Sequence, residues 1–318
     1  MPPERPTPAT SRPVVRDVRR RLVVLGTRPE RDHAEWEELR ARLDAVDAAD
    51  RGRAWREASV LVDLTFRQRP TRSYKQLRQI RERRVEHGAA DAFDRFWQEC
   101  RRALAPYTLT PHGYSLALDS RDPDALWRAV ADLTAHFGEL GHPVLVNSGT
   151  LLGLVRDGTV LGHDDDVDLM VVLGRDDSPD AAGAAREWRD LRAHAAEAGL
   201  LDREFERRRP GHCRVVTADG LKIDLFPAWQ GGDRMFVWPH TYGEVAAADV
   251  LPPEQRRIGT QGPVVLLPRR PELLLEANYG PGWREPDPTY RFDWDRAHER
   301  FAGFLAHLGS RRGAGAGS

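Results

Sequence analysis

From residue 15 to about 105 the apolar positions recur at steps of three and four, with few breakers between them. Trp36, Leu39, Leu43 and Val46 share one helical face, as do Phe93, Trp97 and Leu104 further on. This stretch predicts three or so helices, with a short strand at Leu22–Leu25. From about residue 110 helix and strand alternate. Asp122-Pro123 supplies an N-cap and a first-turn proline, and Leu126, Val130, Leu133, Phe137 and Leu140 then mark one buried face as far as Gly141. PVLVN (143–147) reads as a buried strand, followed by a small-residue turn and a short helix from Gly149 to Arg156. A strand over Asp166–Val172 and a helix over about 180–198, capped by Gly199, come next. Cys213–Thr217 and Leu221–Phe226 pair as a hairpin through Ala218-Asp219-Gly220. A strand at Val264–Leu267 and a helix from Pro271 to Tyr279, closed by Gly280, complete the series.

The 318 residues suffice for one large domain or two smaller ones, and the apolar content is that of a globular protein. Residues 1–13 are rich in Pro, Ser and Thr and are expected to be disordered, as is a tail over 306–318. Between them the change of pattern predicts a helical N-terminal region over 14–107 and a second domain, of alternating helix and strand, over 108–305. Residues 1–107 carry 24 Arg/Lys against 17 Asp/Glu, so this part is basic and the remainder acidic. A solvated arginine-rich surface is the simplest reading of that excess; contact with an anionic partner such as a membrane surface is the functional one.

Two further observations narrow the class. Cys100 and Cys213 stand far apart without a CxxC, so neither a zinc site nor a disulfide framework is expected. No stretch has the pattern of a secretory leader or the length of a membrane span, which predicts a soluble, cytoplasmic protein. The net charge is near zero and the basic residues are not interleaved with aromatics, so a nucleic-acid partner is not expected.

The densest chemistry is HDDDVDLMVV, from His163. On a strand, Asp166 and Asp168 project to one face while Val167 and Leu169 bury on the other. Two such carboxylates can chelate a hard cation that keeps water and phosphate oxygens as its other ligands. LKIDLFP sets Asp224 on the same face of a second strand as Lys222. An ionised Asp in so apolar a strand costs several kcal/mol unless a cation or donors compensate it. Upstream, Ser148-Gly149-Thr150 joins strand to helix, a place where backbone N–H groups and hydroxyls meet phosphate, with Arg156 seven residues beyond Gly149. Arg214 and Lys222 flank the hairpin within reach of a substrate phosphate, with plain surface charge as the competing reading; Asp164 and Asp165 either assist the metal or cap the strand. Taken singly, an acidic run is usually a solvated turn and an SGT a coil; their order and spacing make the combination specific.

The stretch NSGTLLGLVRDGTVLGHDDDVDLMV, followed by LKIDLFP and LLEANYGPGW, resembles the LicD family, which includes fukutin and the fukutin-related protein. The resemblance covers roughly 140–290 and leaves out the N-terminal helices. It implies an α+β fold, a nucleotidyltransferase-like mixed β-sheet flanked by helices, here preceded by the N-terminal helical region. It implies transfer of a phosphorylated alcohol, such as phosphocholine or ribitol phosphate, from a CDP-activated donor to a glycan or glycolipid hydroxyl, with Mg²⁺ (or Mn²⁺) as cofactor. The family's metal pair falls on Asp166 and Asp168, its third carboxylate on Asp224, and its phosphate-side residues on Gly149, Thr150 and Arg156. His163 stands where the family usually has an aromatic, a departure that bears on local packing. Asp224 is left as either a ligand to a second metal or the acceptor of the hydroxyl proton. Two other readings stay open: an NTP-dependent nucleotidyltransferase releasing pyrophosphate, and a non-catalytic nucleotide-binding module.

Overall fold

The computed structural model describes residues 11–26, 32–110, 113–174, 180–202, 205, 211–287, 290 and 292–309. The chain folds as two units, Met1–Ser120 and Arg121–Ser318. In the first, five helices precede a hairpin: α1 Ser11–Gly26, α2 His33–Asp44, α3 Arg53–Thr65, α4 Pro70–Glu86, α5 Ala90–Leu104, then β1 Tyr107–Thr110 and β2 Gly113–Leu116. Helix α3 is the hub. It is buried from Ala58 to Thr65 and packs against α1, α2, α4 and α5. A helix apolar on nearly every side needs such a surround.

Three expectations change here. Leu22–Leu25 is helical, because Val15, Val18, Leu22 and Leu25 continue one buried stripe at helical spacing and leave Val23 and Val24 outside. The helix begins at Ser11, inside the segment expected to be disordered, whose first ten residues lie outside the described ones. The first unit also extends beyond 107 to Ser120. Tyr114 on β2 donates its hydroxyl to the carbonyls of Gln68 (2.8 Å) and Asp63 (3.3 Å), which ties the hairpin to the helices.

The second unit opens with α6 Pro123–Glu139, whose N-cap Asp122 accepts from the Asp124 N–H as the sequence predicts. Then follow β3 Val144–Val146, α7 Ser148–Arg156, β4 Asp166–Leu173, α8 Ala181–Glu197, β5 Cys213–Val216, β6 Lys222–Gly231, β7 Arg234–Val237, β8 Val245–Ala246, β9 Glu254–Arg257 and β10 Val264–Leu267. Helices α9 Pro271–Tyr279, α10 Trp294–Arg300 and α11 Ala302–Gly309 close it, so helix runs four residues into the expected tail. The strands form one mixed sheet in the order β8-β7-β6-β4-β3-β10-β9, with β5 also paired to β6. The fold is thus α+β, a mixed sheet flanked by helices.

Strand β6 organises the sheet. It runs parallel to β4 from Lys222 to Trp229; its other edge pairs first with β5 and then with β7. The sequence ends this strand before Pro227, yet it continues to Gly231. Pro227 lies in the gap between the β5 pairing, which stops at Leu225, and the β7 pairing, which starts at Ala228. A missing N–H is tolerated at such an interruption. Beyond it Trp229 stacks on Phe236 and Phe304, fixing the end of the sheet against α11.

Helix α7 packs against β4 and α9. Gly153 allows this, since a Cβ there would meet Thr159 O at 2.5 Å and Leu161 N at 2.7 Å. Both are backbone atoms in the loop that leads to the acidic run. Gly153→Ala should therefore destabilise the second unit by about 1–3 kcal/mol, the usual cost of overpacking. Urea unfolding measures this; a change below about 0.5 kcal/mol would show that the loop is not held against α7.

Candidate active site

Pairing of β4 with β6 builds the site. Asp168 and Asp224 are register partners across the two strands, and Arg214 on β5 is the register partner of Asp224 on its other side. One row across three strands therefore reads Asp168, Asp224, Arg214. Alternation buries Val167, Leu169, Val171 and Leu173 opposite Asp166 and Asp168, as the sequence predicts. Asp224 is buried, 5% exposed, and not turned to solvent.

Arg214 grips Asp224 with two donors: Nε to Oδ1 at 2.6 Å and Nη2 to Oδ2 at 2.8 Å. The same Nη2 reaches Asp166 Oδ2 at 3.1 Å. The guanidinium also lies over the Phe205 ring, 4.3 Å from its centroid. Lys222 donates to Asp165 Oδ2 at 2.6 Å. Arg214, Lys222 and Asp165, expected near substrate, thus serve first as internal counter-charges in this arrangement.

Asp168 is oriented by the turn that begins α7. The Gly149 N–H donates to Asp168 Oδ2 (2.9 Å), and the Asp168 N–H donates to Thr150 Oγ1 (2.8 Å). The hydroxyl of Thr150 and the Gly149 N–H, read from sequence as phosphate contacts, are engaged with β4. A Cβ on Gly149 would lie 2.9 Å from Asp164 Oδ2 and 3.2 Å from Asp168 Oδ2. Glycine is what lets the two carboxylates come so near the turn.

Ser148 departs further from expectation. Its hydroxyl is buried between His240 Nε2 (3.1 Å) and the Tyr279 hydroxyl (3.2 Å), and so does not face a phosphate. Its φ of 46° is left-handed, a conformation that costs a non-glycine residue about 1–3 kcal/mol. The two side-chain bonds help hold it there. Burial keeps His240 neutral, its pKa held down to about 3, and pushes the Tyr279 hydroxyl far above the ordinary phenol range. His240 and Tyr279 are structural members of the site that sequence reading missed. For His240 no local signal exists; Tyr279 lies in the NYGPGW element, where it was read only as a helix end.

Arg156 forms a two-pronged pair with its neighbour Asp157, both contacts at 2.9 Å, and bonds none of the acidic cluster. Asp164 is part of the cluster, as its metal-assisting reading requires. Oxygens of Asp164, Asp165 and Asp166 all lie within 4.8 Å of one another, among the described residues the only such group of three or more potential metal ligands. His212 Nε2 stands 3.9 Å from Asp224 Oδ2, at the edge of the same patch.

The electrostatics are lopsided: Asp164, Asp165, Asp166, Asp168 and Asp224 against Arg214 and Lys222. At an effective dielectric of ~20, two charges about 5 Å apart repel by about 3 kcal/mol, more than a surface ion pair returns. Burial first, and the neighbouring carboxylates second, raise Asp166 and Asp168 well above the ordinary carboxylate range; burial pushes Asp164 up to about 7. Asp224 is raised by burial despite the opposing Arg214. Crowded hard oxygen donors with excess negative charge fit a divalent cation such as Mg²⁺, which takes oxygen ligands at about 2.0–2.1 Å.

Residues 141–260 match the model of the LicD/FKTN/FKRP nucleotidyltransferase domain. Comparison with curated proteins finds no match. The matched span contains all five carboxylates, Arg214, Lys222 and His240, whereas Tyr279 lies beyond it.

These shifts fix the sign of the pH dependence. Asp164 has an ordinary value of 3.8 and a folded one of about 7, so between them the native state holds a proton that the unfolded chain has lost. Its contribution to stability therefore falls as pH rises across that window and is flat above it. Asp168→Asn should raise the melting temperature of metal-free protein near pH 8 and weaken stabilisation by Mg²⁺. In the parent protein, Mg²⁺ at about a hundred times its Kd should add about 2.7 kcal/mol. That is a rise of roughly 5–10 °C, smaller near pH 5 where protons compete. Thermal unfolding with and without Mg²⁺ checks both; equal Mg²⁺ effects in parent and variant would refute this site.

Proposed function

We propose, for a chain whose residues 141–260 belong to the LicD family, that the protein is a metal-dependent transferase. It moves a phospho-alcohol from a CDP-activated donor to a glycan or glycolipid hydroxyl and releases CMP. The observation that carries this reading is a patch of five carboxylates on the β4–β6 seam: Asp164, Asp165 and Asp166 have oxygens within 4.8 Å of one another, while Asp224 joins them through Arg214 and Asp168 through the Gly149 turn.

Asp166 and Asp168 hold the cation, with Asp164 and Asp165 adding oxygens from the preceding loop. When bound, Mg²⁺ or Mn²⁺ supplies charge neutralisation for the donor pyrophosphate and its leaving group. The chain's own residues position the reaction. Gly149 and Thr150 fix the Asp168 carboxylate, and Arg214, gripping Asp224 and Asp166, keeps a guanidinium at the place where negative charge enters. Once phosphate takes over that guanidinium, Asp224 is released to accept the proton of the attacking hydroxyl. Arg156 meets the donor phosphates by leaving Asp157, an exposed partner that offers little resistance. The buried polar contacts of Ser148 keep this turn rigid. The cell-surface glycan acceptor and the cytoplasmic location belong to the same proposal.

The test is product identity. Purified protein with Mg²⁺ and CDP-choline, CDP-ribitol or CDP-glycerol, plus a panel of glycan acceptors, should release CMP. Asp166→Ala should lower turnover by at least about 10³-fold, a loss of roughly 4 kcal/mol in transition-state stabilisation, with an unchanged far-ultraviolet circular dichroism spectrum. Pyrophosphate formed from an NTP, in place of CMP, would establish the NTP-dependent reading. No binding of any nucleotide by calorimetry would leave a non-catalytic module.

A further inference from the structure

The first unit contains a cavity of about 150 Å³ between α3 and α4, remote in sequence from every residue of the acidic site. Arg53 and Arg56 line it from α3, Arg83 and Arg84 from α4, with the Gln76 side chain beside them and Trp55 as an apolar wall. Among the described residues that line it there is no carboxylate. A cavity of about 150 Å³ is large enough to admit a molecule the size of benzene, and so has room for one phosphoryl group.

The walls are built, not incidental. Trp55 is 5% exposed, donates its indole N–H to Leu43 O at 2.7 Å, and is stacked by Arg51 from outside the cavity, 4.9 Å from the ring centroid. Arg84 is anchored by an ion pair to the buried Glu57, which also meets Arg19 at 3.5 Å. That anchoring leaves the Arg84 Nε–H buried with no hydrogen-bond partner. Gln76 Oε1 is likewise buried and unpartnered, and a half-turn of its amide would present N–H groups instead. Buried donors without acceptors are uncommon in native proteins and call for a ligand or an ion. Several guanidiniums around one small volume favour an oxyanion, since planar N–H forks match phosphate oxygens. A second depression, lined by Arg12, Arg16, Arg19 and Arg20 with Glu99 as its one carboxylate, reaches Ala54 in the first turn of α3 and adds to the positive potential.

We infer that this cavity is a binding site for a phosphate-ester oxyanion, separate from the metal site and independent of the transferase reading. A soluble phosphate ester and an anionic lipid headgroup share that chemistry, and the assay separates them.

Full-length protein in EDTA, which removes metal from the acidic cluster, is titrated calorimetrically with inorganic phosphate and pyrophosphate at constant ionic strength. Co-sedimentation with equimolar phosphatidylglycerol–phosphatidylcholine vesicles is measured in parallel. The same measurements are made on the triple variant R53Q/R56Q/R83Q, which spares Arg84 and its pair with Glu57, and on Asp168→Asn. Binding should weaken at least about tenfold in the triple variant and stay unchanged in Asp168→Asn, while Mg²⁺-dependent stabilisation of the triple variant stays at the parent level. Loss of the soluble probes identifies a free phosphate ester as the ligand; loss of vesicle binding alone identifies a lipid headgroup. Absence of binding to every probe, binding that survives the triple variant, or binding abolished by Asp168→Asn would overturn the assignment. A protein that releases no CMP but keeps arginine-dependent phosphate binding would refute the transferase reading and leave this one standing.

Discussion

The parallel pairing of β4 with β6 is the constraint on which the second unit depends. It brings Asp168 level with Asp224, and the antiparallel β5 then brings Arg214 level with both. A one-residue slip between β4 and β6 would turn Asp166 and Asp168 into the apolar layer and expose Val167 and Leu169. Because burial of the apolar set opposes that slip, the hydrophobic alternation of β4 is also what aims its carboxylates. Core packing and site geometry are two consequences of one register.

Support for the site reaches beyond the strands that carry it. Ser148 keeps a left-handed backbone beside Gly149 through bonds to His240 and Tyr279. Tyr279 ends α9, and the preceding Asn278 accepts from both the N–H and the hydroxyl of Thr241, itself left-handed at φ 54°. Tyr290 then donates to Asn278 O at 2.6 Å. Two strained positions are thus tied to one helix end by a buried polar network. The network is only partly satisfied, since His240 Nδ1 and Asn278 Nδ2 are buried without a hydrogen-bond partner, so what holds the two strained positions is the set of bonds named above. The working unit therefore extends past residue 260, where the family match stops, to include α9 and Tyr290.

Much of this was legible in the sequence because the relevant signals are local. Alternation over DVDLMVVL placed Asp166 and Asp168 on one face, and Asp122-Pro123, Gly199 and Gly280 marked helix ends that the structure shows. What escaped depends on tertiary pairing. No property of Arg214 announces that it lies level with Asp224, and nothing near His240 shows that it meets a serine 92 residues earlier. The valine-rich end of α1 misled because β-branched residues favour strands locally, while the buried stripe that decides the matter begins at Val15. Hydroxyls and amides at 148–150 were read as facing outward to phosphate, since a turn's sequence does not say whether its donors are already used within the protein.

The same contrast explains why so unfavourable a charge cluster persists. Its cations are local: Arg214 and Lys222 come from one hairpin, ten and two residues from Asp224. Its anions are assembled across 56 residues, from Asp168 to Asp224, by a strand pairing whose apolar side is already buried. The hydrophobic set on β4 and β6 can carry several kcal/mol of repulsion without losing the register, because each fully buried Val, Leu or Ile returns about 1.5–3 kcal/mol. A stable sheet is then able to present donors that would separate if they were free to move. Functional sites commonly break a local rule of this kind at the expense of stability elsewhere. Here the broken rule is the separation of like charges, and the compensation is the dry face of the same two strands.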